Sequence, residues 1–213
     1  FVDVLSLDDP DLLAFIPRPV IAFVLVFPTS EKYDKEKEAD ENRRKEYRGA
    51  GASEDVMWFR QTIYNACGLY GILHAVSNGE ARSEIKPDST LAKILKRAEP
   101  LTPKSRALSL EDSEDLEKAH AAAAQKGDSA VPENPEDEVD YHYICFVKSN
   151  KNGHLYQLDG DRKGPVDLEI SLAEGEDLME NSKVMDVLRR FIYEEDGDNQ
   201  NFSLMALASN VES

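Results

Sequence analysis

Residues 61–70 read Gln61-Thr62-Ile63-Tyr64-Asn65-Ala66-Cys67-Gly68-Leu69-Tyr70. After Cys67, apolar residues follow the i, i+3, i+4, i+7 spacing of a helix that packs on a core, namely Leu69, Ile72, Leu73 and Val76. Asn65 is a residue type that caps helix N-termini, and Ser77-Asn78-Gly79 is predicted to end the helix. The stretch therefore places a cysteine where a helix begins, with a glutamine six residues before it.

The composition bounds the class of protein. The chain has 213 residues, of which 41% are hydrophobic, so we expect one domain with a substantial core. Its formal net charge is −17, which argues against nucleic acid or an anionic membrane as a partner and favours a partner with a basic surface. The longest apolar run, residues 20–27, is too short to span a bilayer and is typical of a buried strand.

Only two cysteines are present, Cys67 and Cys145, so a disulfide framework is not expected. A reducing compartment follows, and we predict a cytoplasmic protein that also has access to the nucleus. We expect no cofactor and no metal, since the sequence has neither metal-ligand spacing nor a glycine-rich phosphate loop. The chain opens on Phe1 rather than Met, so we expect the natural N-terminus to precede it.

Helical and strand patterns alternate along the rest of the chain. Strands are predicted over residues 20–27, 141–147, 154–159, 166–170 and 202–208, and helices over 89–97 and 179–193. Residues 30–48 are almost all charged and predict a solvated helix. Several strands are connected as hairpins. The sequence therefore predicts an α+β fold with a central, mostly antiparallel sheet flanked by helices.

Residues 108–140 form an acidic insertion between two well-patterned regions. They contain eleven acidic residues against two lysines, a net charge of −9. Their first part, with alanines at 121–124, is compatible with a helix, whereas their second part is expected to be mobile and exposed. We therefore interpret the segment as an insertion within a single domain that covers residues 1–213.

A cysteine nucleophile needs a base, and the base needs a group that orients it. If residues 148–153 form a hairpin loop, Val147 lies opposite His154 and His142 lies opposite Asp159. Directly opposed residues share a face with Cβ atoms about 5 Å apart, within reach of a His–carboxylate hydrogen bond. A tighter turn at Asn152-Gly153 would instead place Asp159 opposite Phe146. Gln61 is the candidate for a side-chain donor to an oxyanion, beside the N–H of Cys67.

Other residues that carry chemistry have more ordinary interpretations. Cys145 alternates with His142 along the strand, so we expect a buried, inert thiol on the opposite face. His74 lies on the same helix face as Cys67 and is interpreted as a packing or supporting residue. We expect a structural His154, an exposed His120 and a core position for Trp58.

Three motifs together resemble the ubiquitin C-terminal hydrolase family of cysteine deubiquitinases. They are Gln61-Thr-Ile-x-Asn65-x-Cys67-Gly68, Tyr141-His142-Tyr143-Ile144 and Gly153-His-Leu-Tyr-x-Leu-Asp159-Gly160. The flanks at Phe1-Val-Asp-Val-Leu, Ile16-Pro-x-Pro-Val and Phe202-x-Leu-Met-Ala-Leu are similar as well. The resemblance implies that Cys67 is the nucleophile, His142 the general base and acid, Asp159 the orienting residue and Gln61 the oxyanion donor.

The resemblance also implies a papain-like fold with a knotted backbone, and a crossover loop within the acidic insertion. In the family this loop straddles the active site and limits substrates to small or flexible leaving groups on the C-terminal glycine of ubiquitin. We therefore expect ubiquitin or a ubiquitin-like modifier as the partner of a monomeric thiol hydrolase. The alternatives are a ubiquitin-binding protein with vestigial catalysis, and another papain-like thiol hydrolase or transferase.

Overall fold

The computed structural model describes residues 1–126, 141–194 and 202–209. The strands are β1 Val2–Asp3, β2 Val20–Pro28, β3 Tyr141–Lys148, β4 His154–Leu158, β5 Val166–Ser171 and β6 Ser203–Ala208. The helices are α1 Pro10–Leu13, α2 Glu31–Glu41, α3 Cys67–Ser77, α4 Thr90–Ala98, α5 Pro103–Glu111, α6 Glu114–Ala124 and α7 Ser182–Arg189, which continues as a π-helical turn over Arg190–Glu194. Within these described ranges no helix is long and apolar enough to cross a membrane.

The six strands form one sheet in the order β1-β6-β2-β3-β4-β5, and every pair of neighbours is antiparallel. β2 lies in the middle and is buried almost throughout, as its unbroken apolar sequence predicts. The predicted α+β fold with an antiparallel sheet between helices is confirmed. The knotted backbone implied by the resemblance stays a prediction.

The two faces of the sheet are covered by different helices. On one face Phe23, Leu25, Ile144 and Phe146 share a core cluster with residues of α7 and with Tyr33 of α2. On the other face Val24 and Cys145 pack with Trp58 and with Ala75 of α3. Because side chains alternate along a strand, His142 belongs to the first face and Cys145 to the second, as predicted.

The β3–β4 register differs from the prediction by two residues. Val147 lies opposite Tyr156, and Lys148 lies opposite Leu155, so neither the six-residue loop nor the two-residue turn is correct. The Ser149 N–H donates to the His154 carbonyl, which leaves a four-residue loop closed by Gly153 at a φ of 73°. A shift of two residues preserves which face each side chain occupies, so His142 and Asp159 still share a face, as diagonal neighbours.

Helix α2 is shorter and less solvated than predicted for residues 30–48. It ends at Glu41, and its Tyr33 is buried in the core. In the acidic insertion the first part is helical as predicted, in the end of α5 and in α6. The predicted crossover loop falls largely on residues 127–140, which lie outside the described residues.

Candidate active site

Cys67 is the first residue of α3, but the turn before it differs from the prediction. Ala66 occupies the N-cap position and contributes no side-chain hydrogen bond, so the predicted Asn65 cap is wrong. Asn65 instead adopts a φ of 51°, in the left-handed region that asparagine tolerates better than most residues. Backbone N–H groups of Gly68, Cys67 and Tyr143 point at the thiol. The helix start therefore directs its donors to the sulfur rather than to a capping side chain.

Burial raises the pKa of the Cys67 thiol above its usual value. The three backbone N–H groups favour the thiolate but do not compensate for the loss of solvent, and the charge of Asp159 opposes the thiolate further. The thiol is therefore predominantly neutral at pH 7.

The predicted His142–Asp159 pair forms. Nε2 of His142 lies 2.9 Å from Oδ1 of the fully buried Asp159. This is a close contact rather than an aligned hydrogen bond, since among the described residues Nε2 finds no partner with suitable angles. Burial raises the pKa of Asp159, but the contact with His142, the charge of Lys37 and the Asp161 N–H together hold that pKa below its usual range. Asp159 is therefore a carboxylate at pH 7.

Asp159 receives donors from three directions besides His142. Oδ1 accepts the backbone N–H of Asp161 at 2.9 Å, and Oδ2 accepts the hydroxyl of Tyr33 at 3.4 Å. Its backbone carbonyl accepts the indole N–H of Trp58 at 2.9 Å. Buried carboxylates are costly unless their oxygens are paired, so the donors to Oδ1 and Oδ2 stabilise the charged form, whereas the indole holds the backbone of Asp159.

A linking segment, residues 57–62, carries Gln61 and contacts the turn at residues 159–163, the aspartate turn. The Gln61 N–H donates to the Gly160 carbonyl at 2.7 Å. A Cβ atom on Gly160 would lie 2.8 Å from the Gln61 Cβ and 3.1 Å from its backbone nitrogen. Glycine is therefore required at residue 160 by this close approach. The contact fixes the backbone of Gln61 relative to Asp159.

Helix α3 binds the other side of the linking segment through residues spaced four apart. The Tyr70 hydroxyl accepts the Thr62 N–H at 3.3 Å, and Nε2 of His74 accepts the Phe59 N–H at 3.0 Å. The Asn78 amide accepts the Met57 N–H at 2.6 Å and donates to the Met57 carbonyl at 2.9 Å. Burial lowers the pKa of His74 to about 4, so the ring is neutral and acts as an acceptor. His74 is thus a supporting residue, as interpreted from the sequence.

Arg106 of α5 completes the support of the linking segment. Its guanidinium is fully buried, pairs with Glu54 at 2.6 Å, and donates to the Trp58 carbonyl at 2.6 Å. It also donates to backbone carbonyls at the end of α4 and in the turn that follows, those of Ala98, Glu99 and Leu101. One buried cation therefore joins the α4–α5 helices to the segment that carries Gln61.

Three of the four predicted site residues line one open cleft of about 580 Å³. They are Gln61, Cys67 and His142, and Asp159 lies behind His142. The side-chain amide of Gln61 contacts the Ile63 carbonyl at 3.5 Å, a weak interaction that leaves its donor available to a ligand. Within the described part of the chain, no group of three or more His, Cys, Asp or Glu side chains could hold a metal ion.

Sequence reasoning missed several supporting residues. Tyr33, Arg106 and Gly160 were not selected, and Trp58 was assigned only to the core. The signal for Tyr33 was present, because it is the single aromatic residue of a charged helix and precedes Lys37, Asp40 and Glu41 at helical spacing. Arg106 carried no comparable signal, since a basic residue in a helix is usually exposed.

An antiparallel sheet that brings a cysteine at a helix start together with a same-face His–Asp pair and a glutamine defines a papain-like cysteine hydrolase. A family model described as ubiquitin carboxyl-terminal hydrolase, family 1, matches residues 1–193. This chain belongs to that family.

Curated relatives agree along almost the full length. The ubiquitin carboxyl-terminal hydrolase isozyme L1 of Equus caballus is 37% identical over 211 residues, which cover 97% of this chain and 86% of the relative. The Homo sapiens isozyme L1 is 36% identical with the same coverage. Among solved structures, the catalytic domain of Trichinella spiralis UCH37 bound to ubiquitin vinyl methyl ester superposes with a TM-score of 0.69. It is 22% identical and covers 98% of this chain and 84% of that chain, which confirms the fold.

Proposed function

We propose that this chain is a cysteine-type hydrolase that cleaves small or flexible adducts from the C-terminal glycine of ubiquitin or a ubiquitin-like modifier. The observation that carries the proposal is the shared cleft of Gln61, Cys67 and His142, with the carboxylate of Asp159 in contact with the imidazole. Family membership adds the substrate class, and ubiquitin vinyl methyl ester is bound by the UCH37 structural neighbour.

The mechanism follows from the roles that the geometry supports. His142, whose Nε2 lies beside Asp159, accepts the thiol proton of Cys67 at its other ring nitrogen. The thiolate attacks the carbonyl carbon of the terminal glycine, and the oxyanion is stabilised by the Cys67 N–H and the Gln61 amide. His142 then donates its proton to the leaving group as the C–N or C–O bond breaks. This leaves a thioester between Cys67 and the modifier.

Water completes the cycle. His142 removes a proton from a water molecule, the resulting hydroxide attacks the thioester carbonyl, and the thiolate leaves as free modifier is released. The net acidity of the enzyme favours association with a basic modifier surface and contributes more to the association rate and specificity than to affinity.

A fluorogenic ubiquitin C-terminal amide tests the proposal. The unmodified chain is expected to release the fluorophore, whereas Cys67→Ala is expected to lose turnover and retain ubiquitin binding, because only the nucleophile is removed. Cys145→Ala is the matched control and should keep its activity, since Cys145 is fully buried away from the cleft. Turnover that survives in Cys67→Ala contradicts the proposal.

A ubiquitin probe with a thiol-reactive C-terminus separates the rival interpretations. We expect covalent labelling at Cys67, detected by mass spectrometry of the digested adduct. Binding without labelling favours a ubiquitin-binding protein with vestigial catalysis. If neither ubiquitin nor a ubiquitin-like probe reacts, another thiol hydrolase or transferase activity becomes the better interpretation.

We further propose a single catalytic domain over residues 1–213, with the crossover loop in the acidic insertion. A monomeric state and a cytoplasmic or nuclear location stay predictions from composition.

A further inference from the structure

The aromatic residue of α2 lies against the catalytic pair. Tyr33 is only 6% exposed, and its ring packs edge-on against Phe27 with centroids 4.9 Å apart. The rings of Phe27 and Tyr33 lie 6.0 Å and 6.5 Å from that of His142. The Tyr33 hydroxyl donates to Oδ2 of Asp159 at 3.4 Å. Tyr33 therefore contacts the carboxylate with its hydroxyl and packs beside the imidazole with its ring.

The two oxygens of Asp159 have different environments. Oδ1 faces Nε2 of His142 and accepts the Asp161 N–H, both at 2.9 Å. Oδ2 accepts a hydrogen bond from the Tyr33 hydroxyl, its donor among the described residues. A carboxylate can rotate about its χ2 bond, and its orientation is fixed only when donors act on both oxygens. Tyr33 supplies the donor on the side away from the histidine.

Helix α2 is bound to the aspartate turn along its length, which fixes where Tyr33 lies. Lys37, one turn after Tyr33, pairs with Asp161. In the next turn, Asp40 and Glu41 pair with Arg162 at 3.1 Å and 3.4 Å. The side chain of Glu41 also accepts the Lys163 N–H at 2.7 Å. Residues 33, 37, 40 and 41 share one helix face, so the same face that binds residues 161–163 presents the tyrosine hydroxyl to Asp159.

We propose that Tyr33 is a positioning residue of this enzyme, whose hydroxyl holds the Asp159 carboxylate in the orientation that orients His142. The inference rests on the proposed function. It differs from a packing role, because a buried aromatic ring needed only for packing could be phenylalanine. The hydroxyl of Tyr33 and its hydrogen bond to Asp159 indicate a positioning role in addition to packing.

The test is Tyr33→Phe, which keeps the ring and removes only the hydroxyl. With the fluorogenic ubiquitin amide, kcat is expected to fall about fivefold, as for loss of one long hydrogen bond to a charged group. KM is expected to stay unchanged, since Tyr33 does not line the cleft. A structural role that distorted the cleft would change KM as well, so a fall in kcat at constant KM is the readout that separates positioning from packing.

Tyr156→Phe is the matched control. The Tyr156 hydroxyl also bonds to carboxylates, those of Asp167 at 3.3 Å and Asp55 at 3.4 Å, on the outer side of β4. Its loss should change neither kcat nor KM. Melting curves and near-ultraviolet circular dichroism of both variants report whether each one folds.

The outcomes separate this inference from the function on which it rests. If the unmodified chain does not turn over the substrate, the proposed function fails. If the unmodified chain is active and Tyr33→Phe matches it in kcat, the inference is overturned and the ring serves packing alone. Loss of the folded signal in Tyr33→Phe, or a rise in its KM, also overturns it, since Tyr33 would then be structural. A lower kcat with an unchanged KM supports it.

Discussion

Cys67 illustrates how a reactive residue is held in an unreactive state. Its position at the start of α3 favours the thiolate, yet burial dominates and raises the thiol pKa. The thiolate is then a minor species at neutral pH. The raised pKa makes the thiol slow to react with small electrophiles at this pH.

Alkylation by iodoacetamide should report this state directly. Below the thiol pKa the thiolate fraction grows tenfold per pH unit, so the rate at Cys67 is expected to rise about tenfold from pH 7 to pH 8. Intact mass spectrometry should show one adduct, because burial raises the pKa of the enclosed Cys145. Cys67→Ser is the control that should give none. A rate that levels off below pH 8 contradicts a raised thiol pKa.

The proposed catalytic residues were predictable because each belongs to a local motif. Cys67, His142 and Asp159 were selected from spacing, strand pattern and family resemblance, and the His142–Asp159 contact was found. The residues that hold them were harder to predict. The Tyr33 hydroxyl finds Asp159 across 126 residues of sequence, and no local pattern encodes such a contact.

At the scale of elements, α3 has a second role beyond presenting the cysteine. Its buried face carries Tyr70 and His74, and Asn78 caps its C-terminus; all three bond to the backbone of the linking segment. That segment has no strand partner of its own, so these side chains satisfy backbone groups that a sheet would otherwise pair. The helix therefore positions both Cys67 and the backbone of Gln61, the proposed nucleophile and oxyanion donor.

Asn78→Ala tests this arrangement. The substitution leaves the N–H and carbonyl of Met57 buried without the amide that pairs with both, so the free energy of unfolding should fall by about 2–4 kcal/mol. Urea denaturation measures the change. Asn150→Ala is the control, because the exposed Asn150 makes one bond, to the Gly79 carbonyl, and its loss should cost under about 1 kcal/mol. If the free energy of unfolding falls equally in the two variants, the bonds from Asn78 to Met57 stabilise the fold no more than an exposed hydrogen bond does.

The two errors in the predicted elements have physical causes. The register of β3 and β4 was wrong because turn length depends on how Gly153 and Ser149 close the loop, which apolar alternation does not specify. Apolar alternation does specify which face of the sheet a side chain occupies, and the shared face of His142 and Asp159 was predicted correctly. Helix α2 was predicted to be solvated because charge usually indicates exposure, whereas here its charges pair with the aspartate turn.

In the molecule as a whole, a buried ion pair joins α5 to the loop that precedes the linking segment. Arg106 and Glu54 are almost completely enclosed, and Arg106 also bonds to the Trp58 carbonyl. The indole of Trp58 in turn donates to the Asp159 backbone. A path of hydrogen bonds thus runs from α5 through the linking segment to the aspartate turn.

Arg106→Met should destabilise the whole fold rather than one loop. It leaves Glu54 buried without its partner, which typically costs about 3–5 kcal/mol, and the urea midpoint should fall accordingly. Arg60→Met removes a half-exposed pair with Glu46 and is expected to cost about 1 kcal/mol or less. The double variant Arg106→Met, Glu54→Gln should recover part of the loss, because no unpaired buried charge remains. If Arg106→Met lowers the free energy of unfolding as little as Arg60→Met does, the buried ion pair does not have this stabilising role.

The hydrogen bond from Gln61 to Gly160 has an evolutionary consequence. The two residues come from motifs almost a hundred positions apart, yet their backbones touch so closely that residue 160 has no space for a side chain. Changes on either side of this contact should show strong epistasis, since a mutation tolerated in one motif depends on the state of the other. The two motifs are therefore expected to change together in evolution. A design that moves this site into another scaffold would have to include both motifs.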